Sequence, residues 1–266
     1  MYDVAARKIQ LWNAAMSADP DLYEVAARVS TIPDTATAVL RFANSAYIGA
    51  VYPVGTVLEA VIRVGSRQVG ALAMASLNRD LVDTWGAPEL WEGSLVVGRA
   101  AKLIGRLLGF GRSENEHLFV AGLFSCAGSA GLLMKDEGYL DWRRRQWMKG
   151  ASDAQMLERE RMVYGANHVE VAAGLLREWN LPDAIVRAVV AHHSPHEDAE
   201  KALWAAMMVL PADSPSRCLD LPFKHAMRAL GLEEHREFVE TEAKLFADVT
   251  VDAFTPEPAL RAVGDA

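Results

Sequence analysis

Apolar residues recur at spacings of three and four along nearly the whole chain and almost never alternate, which restricts the fold to helices packed on helices. Ile9, Trp12, Ala15 and Met16 give one such stripe, and Val169, Ala172, Ala173 and Leu176 give another. The punctuation agrees. Asp19-Pro20 sets a capping acceptor before a proline at a first helical position, and Thr56/Glu59, Ser113/Glu116 and Ser152/Gln155 have the spacing of a reciprocal capping box. Gly49, Gly65, Gly86 with Pro88, Gly111, Gly150 and Pro182 supply stop signals. About a dozen short helices are predicted. No Asn-Gly or Asp-Gly turn joins alternating runs, so the expected class is all-α.

With 266 residues, 51% hydrophobic and 23% charged, the chain has the composition of an ordinary globular protein. At roughly 150 residues per domain that is one large domain or two closely packed ones. The formal net charge of −8 argues against general, phosphate-driven binding to nucleic acid or to anionic lipid. Residues 1–150 carry 16 Lys/Arg against 15 Asp/Glu, whereas residues 151–266 carry 11 against 20, so an anion site belongs in the first half. The two cysteines, Cys126 and Cys218, have no Cys-x-x-Cys spacing, which suggests neither a disulfide framework nor a thiolate zinc site. Asp3, Arg7 and Lys8 interrupt any secretory signal, and a cytoplasmic protein is expected. The longest uncharged stretch, residues 118–134, spans 17 residues and reads as one buried core helix rather than a membrane span. The residues after Thr255 lack helical punctuation and are expected to fray.

The common catalytic signatures are absent: no G-x-x-x-x-G-K-[ST], no H-E-x-x-H and no G-x-S-x-G. Gly109-Phe110-Gly111 begins like a dinucleotide loop, but Glu114 stands where a third glycine is required, and a helix C-cap is the better reading.

Three stretches carry a family resemblance. FANSAYIG (42–49), AVIRVGSRQV (60–69) and HVEVAAGLLREWNLPDAIVRAVVAHH (168–193), in that order, resemble the HDOD domain, a helical relative of HD-type metal phosphohydrolases found in bacterial signalling proteins. The likeness covers roughly residues 17–210 and rests on Asn44, Ser45, Tyr47, Arg63, His168, Trp179, His192 and His193 as motif residues. It implies an N-terminal helical bundle over residues 1–84 and an HD-like helical core over 85–266, together one module. Asn44 and Ser45 read as a helix cap and turn, with the Asn44 amide satisfying open carbonyls or the residue adopting a left-handed cap.

An HD phosphohydrolase needs an early His, a His-Asp doublet and a later Asp to hold the ions that polarise phosphate and generate hydroxide. By the resemblance, Gly93 stands at the early His, and Ser125 and Cys126 stand at the doublet. Glycine offers no ligand, serine is a poor neutral donor, and a buried cysteine most often packs as a small hydrophobe. No metal, no cofactor and no catalytic residue are therefore expected.

His192 and His193 are adjacent, and on a helix neighbours point about 100° apart, so the two are expected not to face one ion. A structural role is expected for both, as for His168. A different feature is DWRRRQWMK (141–149), in which Arg143, Arg144 and Arg145 lie between Trp142 and Trp147, with Lys149 following. Guanidinium forks bind phosphates and carboxylates bidentately, and indole faces anchor partners or stack on bases. This is the candidate partner or ligand surface, against the alternative of a solvated face whose tryptophans pack inward.

The expected function is that of a non-catalytic bacterial signalling or regulatory module that binds a protein partner. Two alternatives from other classes stand beside it: a metal-dependent phosphohydrolase with an atypical site, and a receptor for a small nucleotide, such as a cyclic dinucleotide, using the three arginines. Neither general nucleic-acid binding nor membrane association is expected.

Overall fold

The computed structural model describes residues 2–49, 51–88, 90–210, 214 and 222–255. Among them the chain forms fifteen α-helices and two 3-10 helices, Ala46–Ile48 and Glu233–His235, with no strand. Cys218 and the segment after Thr255 lie outside the described residues.

The first five helices are α1 (Tyr2–Ala15), α2 (Leu22–Ser30), α3 (Pro33–Ala43), α4 (Val57–Val64) and α5 (Ser66–Thr84). Helix α1 lies along α5, and α2 and α3 close against α4. Then follow α6 (Leu90–Leu107), α7 (Arg112–Phe124), α8 (Ala127–Lys135), α9 (Tyr139–Met148), α10 (Asp153–Tyr164), α11 (His168–Glu178), α12 (Asp183–Ala191), α13 (Asp198–Met207), α14 (Phe223–Ala229) and α15 (Arg236–Phe254). Helices α6 and α7 form the central pair, and α15 returns to pack on α6 and on α3, so one hydrophobic core runs through both halves of the chain.

The capping chemistry explains most boundaries. Thr56/Glu59 and Ser152/Gln155 form the reciprocal boxes that their spacing predicts. Gly65, at φ 82°, ends α4, and the next helix starts at once. Two start signals are corrected. Helix α2 is capped by Asp21, whose carboxylate accepts from the Tyr23 N–H at 2.8 Å, rather than by Asp19. Helix α7 starts at Arg112 behind Gly111, whose N–H donates to Glu114 at 2.8 Å. Glu116 does not close a capping box; buried in the seam between α6 and α7, it accepts from Lys102 Nζ at 2.7 Å. Gly111 therefore begins a helix rather than ending one.

The stretch is buried as expected from 118 to 133, with Met134 exposed, but it is not one helix. It breaks between Phe124 and Ala127, where the Ser125 hydroxyl donates to the Gly122 carbonyl at 2.8 Å and the backbone tightens to a one-residue-shorter spacing. By length and composition the span Arg112–Lys135 is apolar enough to cross a membrane, yet 89% of its most apolar window is buried inside the protein.

Candidate functional site

The most concentrated chemistry lies where α8, α10, α11 and the end of α12 meet. Asn167 starts α11: its side chain accepts from the Glu170 N–H at 2.9 Å, and its own N–H donates back to Glu170 at 2.9 Å. That cap puts His168 in the first helical turn. Gly128 of α8 presses on it so closely that a Cβ there would stand 1.7 Å from the His168 carbonyl oxygen. His168 is buried, and Glu160 of α10 meets both its Nδ1 and its backbone N–H. Its Nδ1–H donates to Glu160 Oε2 at 2.6 Å and its backbone N–H donates to the same oxygen at 3.0 Å. The Tyr139 hydroxyl donates to the other oxygen at 2.7 Å. Burial pushes the Glu160 carboxyl up, but these hydrogen bonds and the His168 ring outweigh it and bring the pKa down to about 2.

The expectation that His192 and His193 point apart is corrected. Helix α12 ends at Ala191; His192 is its C-cap, still in the right-handed region at φ −62° and ψ −18°, and His193 follows in a turn. The two ring centroids lie 4.1 Å apart, and His193 lies 4.9 Å from His168. His168 Nε2 and His193 Nε2 are 2.9 Å apart. His192 Nδ1–H donates to the Val189 carbonyl at 2.5 Å, which leaves Nε2 as a bare lone pair, buried and without a partner. Burial, reinforced by the neighbouring histidines, pushes the His192 pKa well down, so the ring is neutral. One ligand atom from each of the three residues falls within 4.8 Å of the others.

Gly93, Ser125 and Cys126, which the resemblance sets at the HD-type ligand positions, offer no imidazole and no carboxylate. Gly93 lies within α6 and has no side chain to offer; Ser125 and Cys126 are buried, with the hydroxyl committed to Gly122 and Sγ 3.8 Å from it. The three imidazoles could hold an ion, since each offers a ring nitrogen within 4.8 Å of the others and imidazole nitrogen suits borderline transition metals.

The arginine run divides. Tyr139, Arg143 and Trp147, at i, i+4 and i+8, form the inner face of α9. Arg143 is 2% exposed, donates to Ser129 Oγ on α8 at 2.7 Å, and stacks over the Tyr139 and Trp147 rings. It is corrected from a surface residue to an interior one. Trp142 also packs inward, against Tyr139 and Tyr164. Arg144, Arg145 and Lys149 remain exposed. Charge reversal of Arg144 and Arg145 should therefore shift stability by no more than about 0.5 kcal/mol, whereas Arg143→Glu should cost about 2 kcal/mol by burying a carboxylate between two rings. Equal melting temperatures for the two variants would contradict this division.

The remaining motif residues serve packing. Asn44 caps α3 at φ −96°, so it is not left-handed; its amide donates to the Val54 carbonyl at 3.0 Å and accepts from the Val54 N–H at 2.8 Å. The Ser45 hydroxyl donates at 2.7 Å to the Phe42 carbonyl, which also accepts from the Ser45 N–H at 3.1 Å. Arg63 reaches Asn44 Oδ1 at 3.4 Å, Arg99 donates to the Tyr47 hydroxyl at 3.0 Å, and Trp179 meets Phe124 edge to face. Sequence reasoning missed Glu160, Tyr139, Ser129 and Asp153. Glu160 sits in a run of charges, LERERM, where nothing local marks which charge turns inward, although its spacing of four from Met156, the other buried residue of α10, was the available signal.

The profile of the HDOD domain matches residues 3–195. Several solved structures share the fold. A candidate phosphohydrolase from Shewanella amazonensis SB2B is 18% identical, with 95% of this chain and 93% of that chain covered and a TM-score of 0.67. An HDOD domain protein of unknown function from Geobacter sulfurreducens is 20% identical, with 90% and 91% covered and a TM-score of 0.65. A candidate signal transduction protein from Marinobacter aquaeolei VT8 is 20% identical with a TM-score of 0.67; 95% of this chain is covered, but only 58% of that longer one. No curated protein matches the sequence.

Proposed function

The chain belongs to the HDOD domain family, and from that membership we propose that it works as a non-catalytic signalling module acting through a protein partner. One observation supports the non-catalytic half of this reading: Ser125 and Cys126, which the resemblance sets at the His-Asp doublet, are buried and turned into the core. A hydrolytic centre needs a carboxylate and an imidazole there to fix an ion and the water it activates. Neither side chain supplies that chemistry. The signalling half agrees with the signal transduction protein whose fold this chain shares. The partner surface in this reading is the outer face of α9, where Arg144, Arg145 and Lys149 are exposed beside Met148. The nucleotide-receptor alternative is weakened, since Arg143 faces the interior and the three arginines do not share a surface.

The test is hydrolysis by the full chain supplied in turn with Mn2+, Fe2+ and Zn2+, using a phosphomonoester, a phosphodiester and cyclic dinucleotides. No turnover above the protein-free blank is expected. Ion-dependent turnover that is lost on chelation would overturn the reading. Affinity capture from the native cell tests the other half: a partner retained by the wild type should be lost when Arg144 and Arg145 are changed to Glu.

A further inference from the structure

We propose that the N-terminus of α5 binds phosphate, free or as the end group of a small phosphate ester, through the backbone N–H groups and side chains of Ser66, Arg67 and Gln68. Helix α5 begins without an acceptor of its own. The residue before it, Gly65, stands at φ 82° and ψ 151°, a conformation confined almost to glycine, so no capping side chain can occupy that place. No acidic residue follows in the first turn. The first backbone hydrogen bond of the helix runs from the Val69 N–H to the Gly65 carbonyl at 3.2 Å. The N–H groups of Ser66, Arg67 and Gln68 are therefore open, and the dipole of a 19-residue helix ends on them.

The side chains point the same way. Ser66 is only 8% exposed, and its hydroxyl makes no hydrogen bond among the described residues. Arg67 Nη1 and Gln68 Nε2 are buried and unpartnered, and buried donors left so are rare enough to need a cause. Side chains in the first turn of a helix lean toward its N-terminus, which brings all three to the side of the open N–H groups. Every unmet group here can donate. Among the described residues neither Arg67 nor Arg63, on the other side of Gly65, makes an ion pair. Arg63 reaches only the Ala43 carbonyl at 3.5 Å and Asn44 Oδ1 at 3.4 Å. The approach is open, since a Cβ on Gly65 would meet nothing within 4 Å. A phosphate end group carries more negative charge than a carboxylate and spreads its acceptor oxygens about a tetrahedral centre, so it can meet helix N–H groups, a hydroxyl and a guanidinium together. The site also lies in the half of the chain where positive charge is not outweighed, 16 Lys/Arg against 15 Asp/Glu over residues 1–150.

The experiment titrates the full chain by calorimetry with inorganic phosphate and with ribose 5-phosphate, against acetate as the control, at about 0.15 M NaCl. One saturable site for phosphate in at least one of the two forms is expected, and the tighter form identifies the free ion or the ester as the ligand. Gln68→Glu sets a carboxylate among the open N–H groups, where it caps the helix and repels an anion. That variant should keep or raise the melting temperature of the unliganded protein while binding phosphate about 10-fold more weakly, a separation that a purely structural role would not give. Arg67→Gln should also weaken binding about 10-fold, whereas Arg144→Ala with Arg145→Ala should change it less than about twofold. The wild-type titration needs no variant to fold, and absence of saturable phosphate binding there overturns the inference. So does acetate binding as tight as that of phosphate, affinity that survives both Gln68→Glu and Arg67→Gln, or loss in the Arg144/Arg145 variant. The inference goes beyond the signalling reading: phosphate binding without hydrolysis upholds both, hydrolysis of an ester overturns only that reading, and no binding overturns only this one.

Discussion

Replacing Gly128 by alanine should destabilise the protein by about 3 kcal/mol, while the same change at Gly174 should stabilise it by roughly 0.5 to 1 kcal/mol. Both glycines lie inside helices, α8 and α11, where alanine is favoured by about 1 kcal/mol on backbone entropy alone. They differ in what a methyl group meets. At Gly174 it meets nothing within 4 Å; at Gly128 it falls 1.7 Å from the His168 oxygen and 3.0 Å from its Cα. Those atoms are backbone, so no rotamer change relieves the overlap, and α11 must move off α8. Because His168 lies at the contact, the shift also disturbs its hydrogen bonds to Glu160. Urea denaturation of the two variants checks the difference in sign. A Gly128→Ala protein within 0.5 kcal/mol of the wild type would show that the helices do not touch as described.

The largest loss should follow from removing both carboxylates around Lys8. Lys8 is 0% exposed, and its ammonium donates to Asp34 at 2.8 Å, Ser76 at 2.5 Å and Asp80 at 2.6 Å, joining α1, α3 and α5. All three N–H groups are thereby used. The double change Asp34→Ala, Asp80→Ala leaves a buried charge with only a hydroxyl, and should cost about 3–5 kcal/mol. Lys8→Met should cost less, because both carboxylates are partly exposed and keep water when the ammonium goes. Adding Lys8→Met to the double variant should recover much of the loss, and failure of that rescue would mean that the carboxylates act otherwise than on Lys8. A pH dependence follows. Burial pushes Asp34 up, but the bonds from Lys8 and Ser76 outweigh it and lower its pKa below the ordinary 3.8. Its contribution is therefore present above that value and lost as the pH falls through the lowered folded value. Acid unfolding of wild type and Asp34→Asn should differ in that window.

What could be read from the sequence was local. The Thr56/Glu59 and Ser152/Gln155 caps, the stripe Val169, Ala172, Ala173 and Leu176, and the all-α class each depend on residues within one or two helical turns, and the structure contains all of them. The HDOD resemblance extended this to the family, because its three motifs keep their order and are themselves built on helix ends. The same local rules misplaced Asp19 and Ser113. A better acceptor stood two residues beyond the first, and Glu116, the partner needed by the second, was taken by Lys102 from another helix.

Tertiary structure alone decided which charged side chains turn inward. Arg143 and Arg144 are neighbours of the same type, yet one lies under Ser129 and the other in water, because α9 rolls Tyr139, Arg143 and Trp147 onto α8 and α10. Glu160 is one charge among several on α10, and Lys8 binds partners 26 and 72 residues away. The histidine cluster shows the reason most directly. Its geometry depends on α12 ending at Ala191, on the close passage of α11 over Gly128, and on a carboxylate delivered from a third helix. Periodicity and capping are fixed by interactions a few residues long, whereas a buried polar site is fixed by how several helices pack, and packing is a property of the whole core.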